Sequence, residues 1–581
     1  MRLFNEVILR QKYFKLPAWL LVVLVSFQSP VFPQNIPPTE TAGAEQERYR
    51  LDEERQKQEK MLLKETEKTS EEQGEVLVPA AYSGPSFRMN DIKIVGNENI
   101  STEELQPIIG KLLNRDVNLS EINEVVSEIK KLYRSKGYIA SYVYVPPQKV
   151  KEGVIELRIV EGKLGQVEVT GNKWFSGKVI GKRVQIEPGK MIEYQELTTR
   201  IARLNEHRDI KAKAVLKPGK VEGTTDVDVQ VKDKLPIHLS TDVNNLGTES
   251  TGKTRWGISF VHTNLLGQMD QAAAKFQLGK GAWAVGSDYN IPINANDTRV
   301  GFGYQHSAVD LGGRFKALGI EGKADTYSPY LTHPFFQNDS LKASLQTGFD
   351  FKEVETTVYG QEVGRDSLRI LNAGLNLNQN DRYGRTFFQN SFNFGFSSFL
   401  GASDKSETNA TRPGTGGQFF IYKQNFLRYF GLWSGLGLAF RSSLQLSNDY
   451  LPPSEQFRLG GAYSVRGYPE GEYVADYGGT GSAELYVPTY FFPKDWKLPF
   501  SKMPLRQQIK GTTFFDFGVG QNRRTLTGER DSATLAGYGI GVRIHLFDKV
   551  FARAEWAKPI ADNPRDNSES NFYFGVSAEL F

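Results

Sequence analysis

Two short stretches late in the chain each place one charged residue in a distinctive local setting. The first is a loop framed by glycines and prolines, in which a single arginine precedes a glycine and an aromatic: Val465-Arg466-Gly467-Tyr468. Glycine permits the turns with positive φ that hold a loop tip in one shape, so this loop is built to present one cation. The second stretch, Phe514-Phe515-Asp516-Phe517-Gly518, places one carboxylate among aromatic residues. Each is a charge suited to binding an opposite charge.

No arrangement typical of an enzyme accompanies these charges. The Gly171–Lys178 segment has the wrong spacing for a phosphate-binding loop and lacks the following Ser or Thr. The sequence has neither a nucleophile elbow nor a His-Glu-x-x-His motif. With no cysteine in the chain, disulfides and thiolate metal sites are excluded. We therefore predict no catalytic residue, no metal and no cofactor. The six histidines are scattered without ligand spacing, at His207, His238, His262, His306, His333 and His545.

The overall composition favours strands over membrane helices. The chain has 37 Phe, 25 Tyr and 56 Gly, yet its mean hydropathy is −0.43. A net charge of +4 is too small to indicate a nucleic-acid partner. At 581 residues the chain must be several domains, or one large barrel with appendages.

From about Pro236 to Phe581 apolar and polar residues alternate in segments of about ten residues. Phe392, Phe394 and Phe396, for example, alternate with Asn393 and Gly395. This is the pattern of a transmembrane β-barrel with a wet lumen, and closure leaves no unpaired backbone in lipid. At roughly 20–22 residues per strand and connection, the region 235–581 holds about 16 strands. The alternative, a soluble sandwich or propeller, would not place phenylalanines outward and Ser or Asn inward.

Whether the Asp516 side chain faces lipid or the lumen is predicted from the free-energy cost of a carboxylate in lipid, and not from the sequence pattern. Asp516 shares strand parity with Phe514 and Gly518, so alternation alone leaves its face open. Because a carboxylate facing lipid is costly, the lumen is favoured.

The N-terminal part divides into an export signal, a polar helix and a linker. A basic segment followed by the short apolar run 16–27 reads as a secretory signal peptide within residues 1–34. The alternative is a single N-terminal anchor. Residues 35–68 are rich in Glu, Gln, Lys and Arg, with high helix propensity and a thin apolar stripe. Such a helix can lie in a water-filled channel, and the alternative is a solvated helix or disordered spacer. Residues 69–86 are a linker.

Two small α+β modules follow, at 87–162 and 163–234. In the first, Ile92 and Ile94 begin a strand, two helices carry apolar residues at helical spacing, and two strands end near Glu161-Gly162. The second repeats this β-α-α-β-β order about 75 residues later, with Gly171-Asn172 matching Gly96-Asn97. In tandem the two units resemble POTRA domains, although any two small α+β domains would fit the same pattern.

The order of signal peptide, polar helix, linker, two modules and barrel resembles that of the two-partner secretion outer-membrane transporters, the TpsB family of haemolysin and adhesin secretion/activation proteins. The resemblance covers essentially the whole mature chain. One departure is Glu579, because the residue two before the end of an outer-membrane barrel is usually apolar. The stretches that carry the resemblance are Gly137-Tyr138 with Pro147-Gln148, Leu204-Asn205, Asn264-Leu265-Leu266-Gly267 with Asp270, the loop motif Val465-Arg466-Gly467-Tyr468, and its partner motif Phe514-x-Asp516-x-Gly518.

The resemblance implies a fold and a function together. The expected fold is mainly β: a barrel of about 16 strands with two periplasmic POTRA domains and an N-terminal plug helix. The expected function is an outer-membrane pore that recognises an unfolded exoprotein in the periplasm and secretes it, with activation of a haemolysin or adhesin as a further expectation. The resemblance also pairs Arg466 with Asp516 inside the lumen, as an internal latch without catalytic role.

Expected partners are the secreted exoprotein, outer-membrane lipid and the barrel assembly machinery for insertion, with no nucleic acid and a monomeric pore. Two other functions stay open at this point. One is an outer-membrane protein insertase of the same superfamily, which usually carries more POTRA modules and lacks the plug helix. The other is a passive porin or receptor, which needs neither the modules nor the paired motifs.

Overall fold

The computed structural model describes residues 40–63, 86–138, 140–184, 189–221, 224–338, 340–499, 501, 503–526, 529–547 and 549–581. The predicted signal peptide lies outside the described residues, as does nearly all of the predicted linker. Among the described helices, none combines the length and the apolar composition needed to cross a bilayer.

The first described element is a single polar helix, α1 (Ala42–Leu63). Its sequence is dominated by Glu, Gln, Arg and Lys, which are strong helix formers. Pairs at helical spacing, in which Arg50 contacts Glu47 and Glu54, add local support. The helix has an apolar stripe that is too thin to bury against an ordinary core. Instead it lies inside the barrel, against the wall strands described below.

The first module is a three-stranded sheet covered by two helices. The central strand, Val154–Val160, pairs in parallel with Asp91–Val95 and antiparallel with Tyr142–Tyr144. Its core contains the residues that the sequence predicts for the two inward helix faces, including Leu105, Ile109, Ile122 and Ile129. The elements are β1 (Phe87–Met89), β2 (Asp91–Val95), α2 (Thr102–Ile109), β3 (Arg115–Val117), α3 (Leu119–Ser135), β4 (Tyr142–Tyr144) and β5 (Val154–Val160).

The second module repeats the arrangement with its own core. Leu197 and Leu204 from its longer helix pack with Val227, Val229 and other sheet residues. The strand order is β6-β8-β7, again with one parallel and one antiparallel pair. The elements are β6 (Lys163–Thr170), α4 (Gly177–Val184), α5 (Tyr194–Glu206), β7 (Ile210–Pro218) and β8 (Thr224–Asp233).

Sixteen of the described strands close into one antiparallel barrel, because the last strand pairs with the first through Gly575 and Asn244. The predicted fold class is confirmed. The strands are β9 (Ile237–Asn244), β10 (Arg255–His262), β11 (Gln271–Leu278), β12 (Ala282–Pro292), β13 (Arg299–Asp310), β14 (Ile320–Gln337), β15 (Leu341–Val358), β16 (Gln361–Asp381), β17 (Gly384–Gly395), β18 (Phe419–Gly431), β19 (Gly437–Ser447), β22 (Tyr477–Pro488), β23 (Ile509–Gln521), β24 (Ser532–Leu546), β25 (Val550–Pro559) and β26 (Asn571–Glu579).

The wall alternates as the sequence predicts. Phe392 and Phe394 are each 41% exposed on the outer surface, whereas Asn393 between them is buried toward the lumen. The same alternation separates outward Phe440 from inward Arg441. The outer surface is therefore apolar and the lumen polar, as a membrane barrel requires.

The two modules define one end of the barrel, which we call the module end. The second module docks there on the short connections between strands. Arg183 pairs with Asp297 at 2.8 Å, and the Asn264 amide donates to the Trp174 carbonyl at 3.2 Å. Because strands alternate in direction, the loops 396–418, 448–476 and 522–531 lie at the opposite end, which we call the far end.

The departure at Glu579 has a structural reason. Its carboxylate lies 2.6 Å from the Arg208 guanidinium of the second module and 3.4 Å from the His238 ring at the start of the barrel. An acidic residue in the last strand thus ties the barrel seam to the module.

Candidate functional site

The site lies in the lumen, where a long loop folds inward from the far end. This lumen loop (residues 448–476) joins β19 to β22 and contains two short paired strands, β20 (Phe457–Leu459) and β21 (Tyr473–Ala475). Its turns use Gly460, Gly461 and Gly467, with φ of 91°, 101° and 102°. A residue with a Cβ is strained in that region, which explains the glycine framing of the motif.

Arg466 occupies the tip of the lumen loop and is 2% exposed. Its Nε and Nη2 donate to the two oxygens of Asp516, at 2.7 and 2.9 Å. Nη1 donates to Glu555 at 2.5 Å and to Glu484 at 3.2 Å, and Nη2 also reaches the Ser482 hydroxyl at 3.3 Å. All five guanidinium N–H groups are thus used, and a fork of fixed geometry holds the loop tip in one position.

The backbone and the ring of the partner motif complete this contact. The Arg466 backbone N–H donates to the Asp516 carboxylate at 3.1 Å. The Phe514 ring lies under the guanidinium, with the arginine Cζ 3.3 Å from the ring centroid. Stacking of a planar cation on an aromatic face stabilises it further where water is excluded.

Gly518 provides the space for the loop. A Cβ placed on Gly518 would lie 2.8 Å from side-chain atoms of both Val465 and Leu459. A glycine at this position of β23 therefore lets the apolar part of the loop lie directly on the wall. Val465 itself is fully buried in a cluster with Leu459, Tyr473 and Leu535.

Tyr468 holds the other side of the lumen-loop tip through hydrogen bonds to the wall. Its hydroxyl donates to the Ala536 carbonyl at 3.2 Å, and its own carbonyl accepts from the Tyr573 hydroxyl at 2.6 Å. The Gly467 N–H donates to the same Tyr573 oxygen at 3.0 Å. The structure thus brings all seven predicted motif residues together around one point of the wall.

Further charged residues surround Arg466, and sequence reasoning missed them. Glu484 on β22 and Glu555 on β25 are almost completely buried. Arg543 bridges them, with one nitrogen 2.9 Å from Glu484 and 2.7 Å from Glu555, and Arg441 reaches Glu484 at 3.0 Å. Together with Arg466 and Asp516 these residues form three cations and three carboxylates, so the cluster balances its buried charge.

Strand parity was the signal that could have found these residues. Glu555 alternates with outward Trp556, and Arg543 with outward Val542, so each occupies a lumen position. Parity alone, however, does not say which of the many polar lumen positions face each other.

Helix α1 fills the lumen beside the loop. Near its start Glu45 pairs with Arg255 at 3.0 Å, at the far end of β10. Near its end Glu59 pairs with Arg553 at 3.2 Å, on the module-end half of β25. The helix therefore runs through the barrel from the far end toward the module end, held by polar contacts to the wall.

One side chain connects the helix and the loop. The Tyr463 hydroxyl contacts the Asp52 carboxylate of α1 and accepts from Arg553 of the wall at 2.8 Å. Asp52 in turn pairs with Lys275 of β11 at 3.2 Å. Because Tyr463 lies three residues before Arg466, the tip contacts and the helix contacts are mechanically linked.

Comparison with known proteins adds family and fold. A family model described as haemolysin secretion/activation protein ShlB/FhaC/HecB matches residues 223–544, and one described as POTRA domain, ShlB-type, matches residues 87–162. The heme/hemopexin transporter protein HuxB of Haemophilus influenzae is 23% identical over 512 residues, which cover 85% of this chain and 87% of HuxB. The outer membrane transporter CdiB of Dickeya dadantii is 22% identical over 431 residues, covering 72% and 74%.

A solved structure has the same architecture. CdiB from Escherichia coli superposes with a TM-score of 0.68 at 19% identity, covering 94% of this chain and 99% of that one. At this identity the likeness establishes the fold of barrel, modules and N-terminal helix.

Proposed function

The chain belongs to the haemolysin secretion/activation protein family ShlB/FhaC/HecB, and we propose that it is the pore through which an unfolded partner exoprotein crosses the outer membrane. The barrel lies in the outer membrane with the POTRA modules in the periplasm, so the module end is periplasmic and the far end extracellular.

The observation that carries this proposal is the content of the lumen. The barrel encloses a complete helix and a folded loop. A helix with its side chains is about 10–12 Å across, so the lumen that holds α1 can hold an extended polypeptide. Both segments are attached by ion pairs and hydrogen bonds to the wall, which can be broken without opening the barrel ladder.

The modules offer the receiving surface. Each is a three-stranded sheet whose outer strands, β2 and β4 or β6 and β7, have only one strand neighbour among the described residues. An extended segment can add to such an edge through main-chain hydrogen bonds, which give affinity without requiring one sequence. We infer that the exoprotein is first held here, before it enters the lumen.

The Arg466–Asp516 contact is assigned the role of an internal latch, with Val465, Gly467, Tyr468, Phe514 and Gly518 shaping its seat. A charge cluster with balanced cations and carboxylates adds little net stability but specifies one arrangement. The latch would hold the loop in the closed pore and release it when the substrate enters.

The remaining partners follow from the surfaces of the barrel. The exposed outward residues Trp256, Ile258 and Phe260 fit a lipid environment. Insertion by the barrel assembly machinery and action as a monomer are part of the proposal, since one barrel contains its own plug and latch. We propose no enzymatic activity, no cofactor and no nucleic-acid partner. The proposed divisions are 1–34 signal peptide, 35–68 plug helix region, 69–86 linker, 87–162 and 163–234 POTRA domains, and 235–581 barrel.

A secretion assay with the product of the neighbouring gene tests the function. Cells that produce both proteins should release the exoprotein, and cells that lack this chain should retain it in the periplasm. An insertase would instead lower the amounts of other outer-membrane barrels when removed. A passive porin would leave release unchanged, and that result would overturn the proposal.

A further inference from the structure

Another buried arginine lies at the extracellular end, outside every motif described above. Arg412 belongs to loop 396–418, which joins β17 to β18, and its side chain is 2% exposed. Burial of a guanidinium in an extracellular loop is costly unless each of its donors is used. The contacts of Arg412 therefore indicate what the loop is held against.

Every N–H of the Arg412 guanidinium donates a hydrogen bond. Nε and Nη2 donate to the two oxygens of Glu529, at 3.1 and 2.9 Å. Nη1 donates to Asp476 at 2.8 Å and to the Leu451 carbonyl at 3.0 Å. The second Nη2 hydrogen reaches the Arg524 carbonyl at 3.0 Å. The Tyr450 ring stacks on the group, 3.7 Å from its Cζ to the ring centroid.

These partners have a particular place in the fold. Tyr450 and Leu451 form the first stem of the lumen loop, and Asp476 ends its second stem. Glu529 and Arg524 lie in the neighbouring loop 522–531. One side chain thus binds both stems of the lumen loop and ties them to the loops on either side.

Asp476 strengthens this arrangement from the second stem. It is fully buried and accepts hydrogen bonds from the Leu451 N–H at 3.1 Å and from the Arg523 N–H at 2.8 Å. On the other side, loop 396–418 is fixed to β16, because the Ser403 N–H donates to the Ser367 carbonyl at 2.8 Å and Thr411 contacts Asp366. The loop therefore reaches from β16 across to the β23–β24 connection.

We propose that Arg412 is a second latch, which clamps the base of the lumen loop while Arg466 holds its tip. The loop leaves the lumen as a unit only when both arginines are released. Each contact of Arg412 is made by loop residues or strand ends, so its release requires no break in the barrel ladder. This inference rests on the proposed role of the barrel as a pore.

The first test measures spontaneous opening of the purified full-length protein in planar lipid bilayers. Arg412→Ala should raise the frequency of large openings by about tenfold or more, because it removes the charge that joins both stems. Arg412→Lys, which keeps the charge but not the planar fork, should give an intermediate frequency. Heat-modifiable mobility on gels shows that each barrel is folded.

Arg365→Ala is the matched control, since Arg365 also lies at the extracellular end but pairs with Glu362 and Glu355 on the surface, with its side chain 46% exposed. It should open at the wild-type frequency. Equal opening of Arg412→Ala, Arg365→Ala and the wild type would overturn the inference. Because this measurement uses no exoprotein, it stands apart from the identity and handling of the partner.

The second test joins the loops covalently. The chain has no cysteine, so Pro413→Cys with Arg524→Cys introduces a single pair next to the clamp, at two exposed positions. A reducible bis-maleimide across this pair should stop secretion, and reduction should restore it. The same variant without the reagent serves as the control. Wild-type secretion by the cross-linked protein would show that the clamp need not open.

Discussion

Arg466 and Asp516 meet through two parallel hydrogen bonds of 2.7 and 2.9 Å, although 50 residues separate them in the chain. The contact joins the tip of a loop to the inner wall of the barrel, in a cluster of almost completely buried charged side chains. Its removal should therefore affect loop position far more than barrel folding.

Replacing Arg466 by alanine should abolish or sharply reduce secretion while the barrel still inserts. The change leaves three buried carboxylates without their shared cation, which typically costs about 3–5 kcal/mol for the closed loop. The exoprotein in the medium is the measurement, with heat-modifiable mobility as the check on folding. Arg466→Lys keeps the charge without the fork and should retain partial secretion. Normal secretion by Arg466→Ala would exclude the latch role.

Deleting residues 42–63 should raise single-channel conductance, since α1 occupies lumen space that ions would otherwise fill. Arg255→Ala, which removes the wall partner of Glu45 near the helix start, should produce occasional openings of the same size. Planar bilayer recordings compare both with the wild type. If the deletion left conductance unchanged, the helix would not be the barrier to ions.

Tyr463→Phe should loosen the helix without displacing the arginine at the tip. The substitution removes only the hydroxyl that contacts Asp52 and Arg553, a loss of about 1–3 kcal/mol for a buried polar contact. A cysteine introduced at Ala44, which is fully buried, reports the helix position by its rate of maleimide labelling. We expect faster labelling in the Tyr463→Phe background; an unchanged rate would mean that loop and helix move independently.

Gly518→Ala should displace the lumen loop, because its Cβ would lie 2.8 Å from Val465 and Leu459. Overpacking of this kind usually costs about 1–3 kcal/mol. Limited proteolysis of the loop and thermal unfolding measure the effect. The control is Gly511→Ala on the same strand, where the nearest atom to a new Cβ is 3.8 Å away. Equal proteolysis of the two variants would contradict the role assigned to Gly518.

The lumen loop should become less stable around Glu472, in its second stem, as the pH rises. Burial raises the pKa of Glu472 to about 7, against the opposing hydrogen bond from the Arg565 N–H at 2.9 Å. Because the folded pKa lies above the unfolded one, the folded state binds the proton more tightly. This contribution is fully present below about pH 4.5 and is lost as the pH rises through about 7.

The variant Glu472→Gln isolates this effect. It should match the wild type in thermal stability at about pH 4 and exceed it at about pH 8, since an amide carries no buried charge at either pH. If the variant and the wild type differed in thermal stability by the same amount at both pH values, Glu472 would not titrate in this range.

Much of the architecture was predictable because it is encoded in local periodicity. The alternation around Phe392–Phe396 predicted strands with one apolar face, and the length of the region predicted about 16 of them. The polar run within residues 35–68 predicted a helix, since propensity and the absence of breakers act over neighbouring residues. The loop motif around Arg466 was visible for the same reason, as its glycines are adjacent in the chain.

The order of amino acids along the chain specifies which residues alternate, where the strands break and that one loop presents Arg466. Which lumen positions face each other is a property of the folded barrel: Asp516 lies against Arg466, Glu484 and Glu555 lie against Arg543, and Arg412 lies against both stems of the lumen loop. Alternation along a strand predicts that a side chain points into the lumen. The residue that it contacts there depends on closure of the barrel and on how far each loop folds into the lumen. Those are properties of strands and loops distant in the chain, so no local pattern records them.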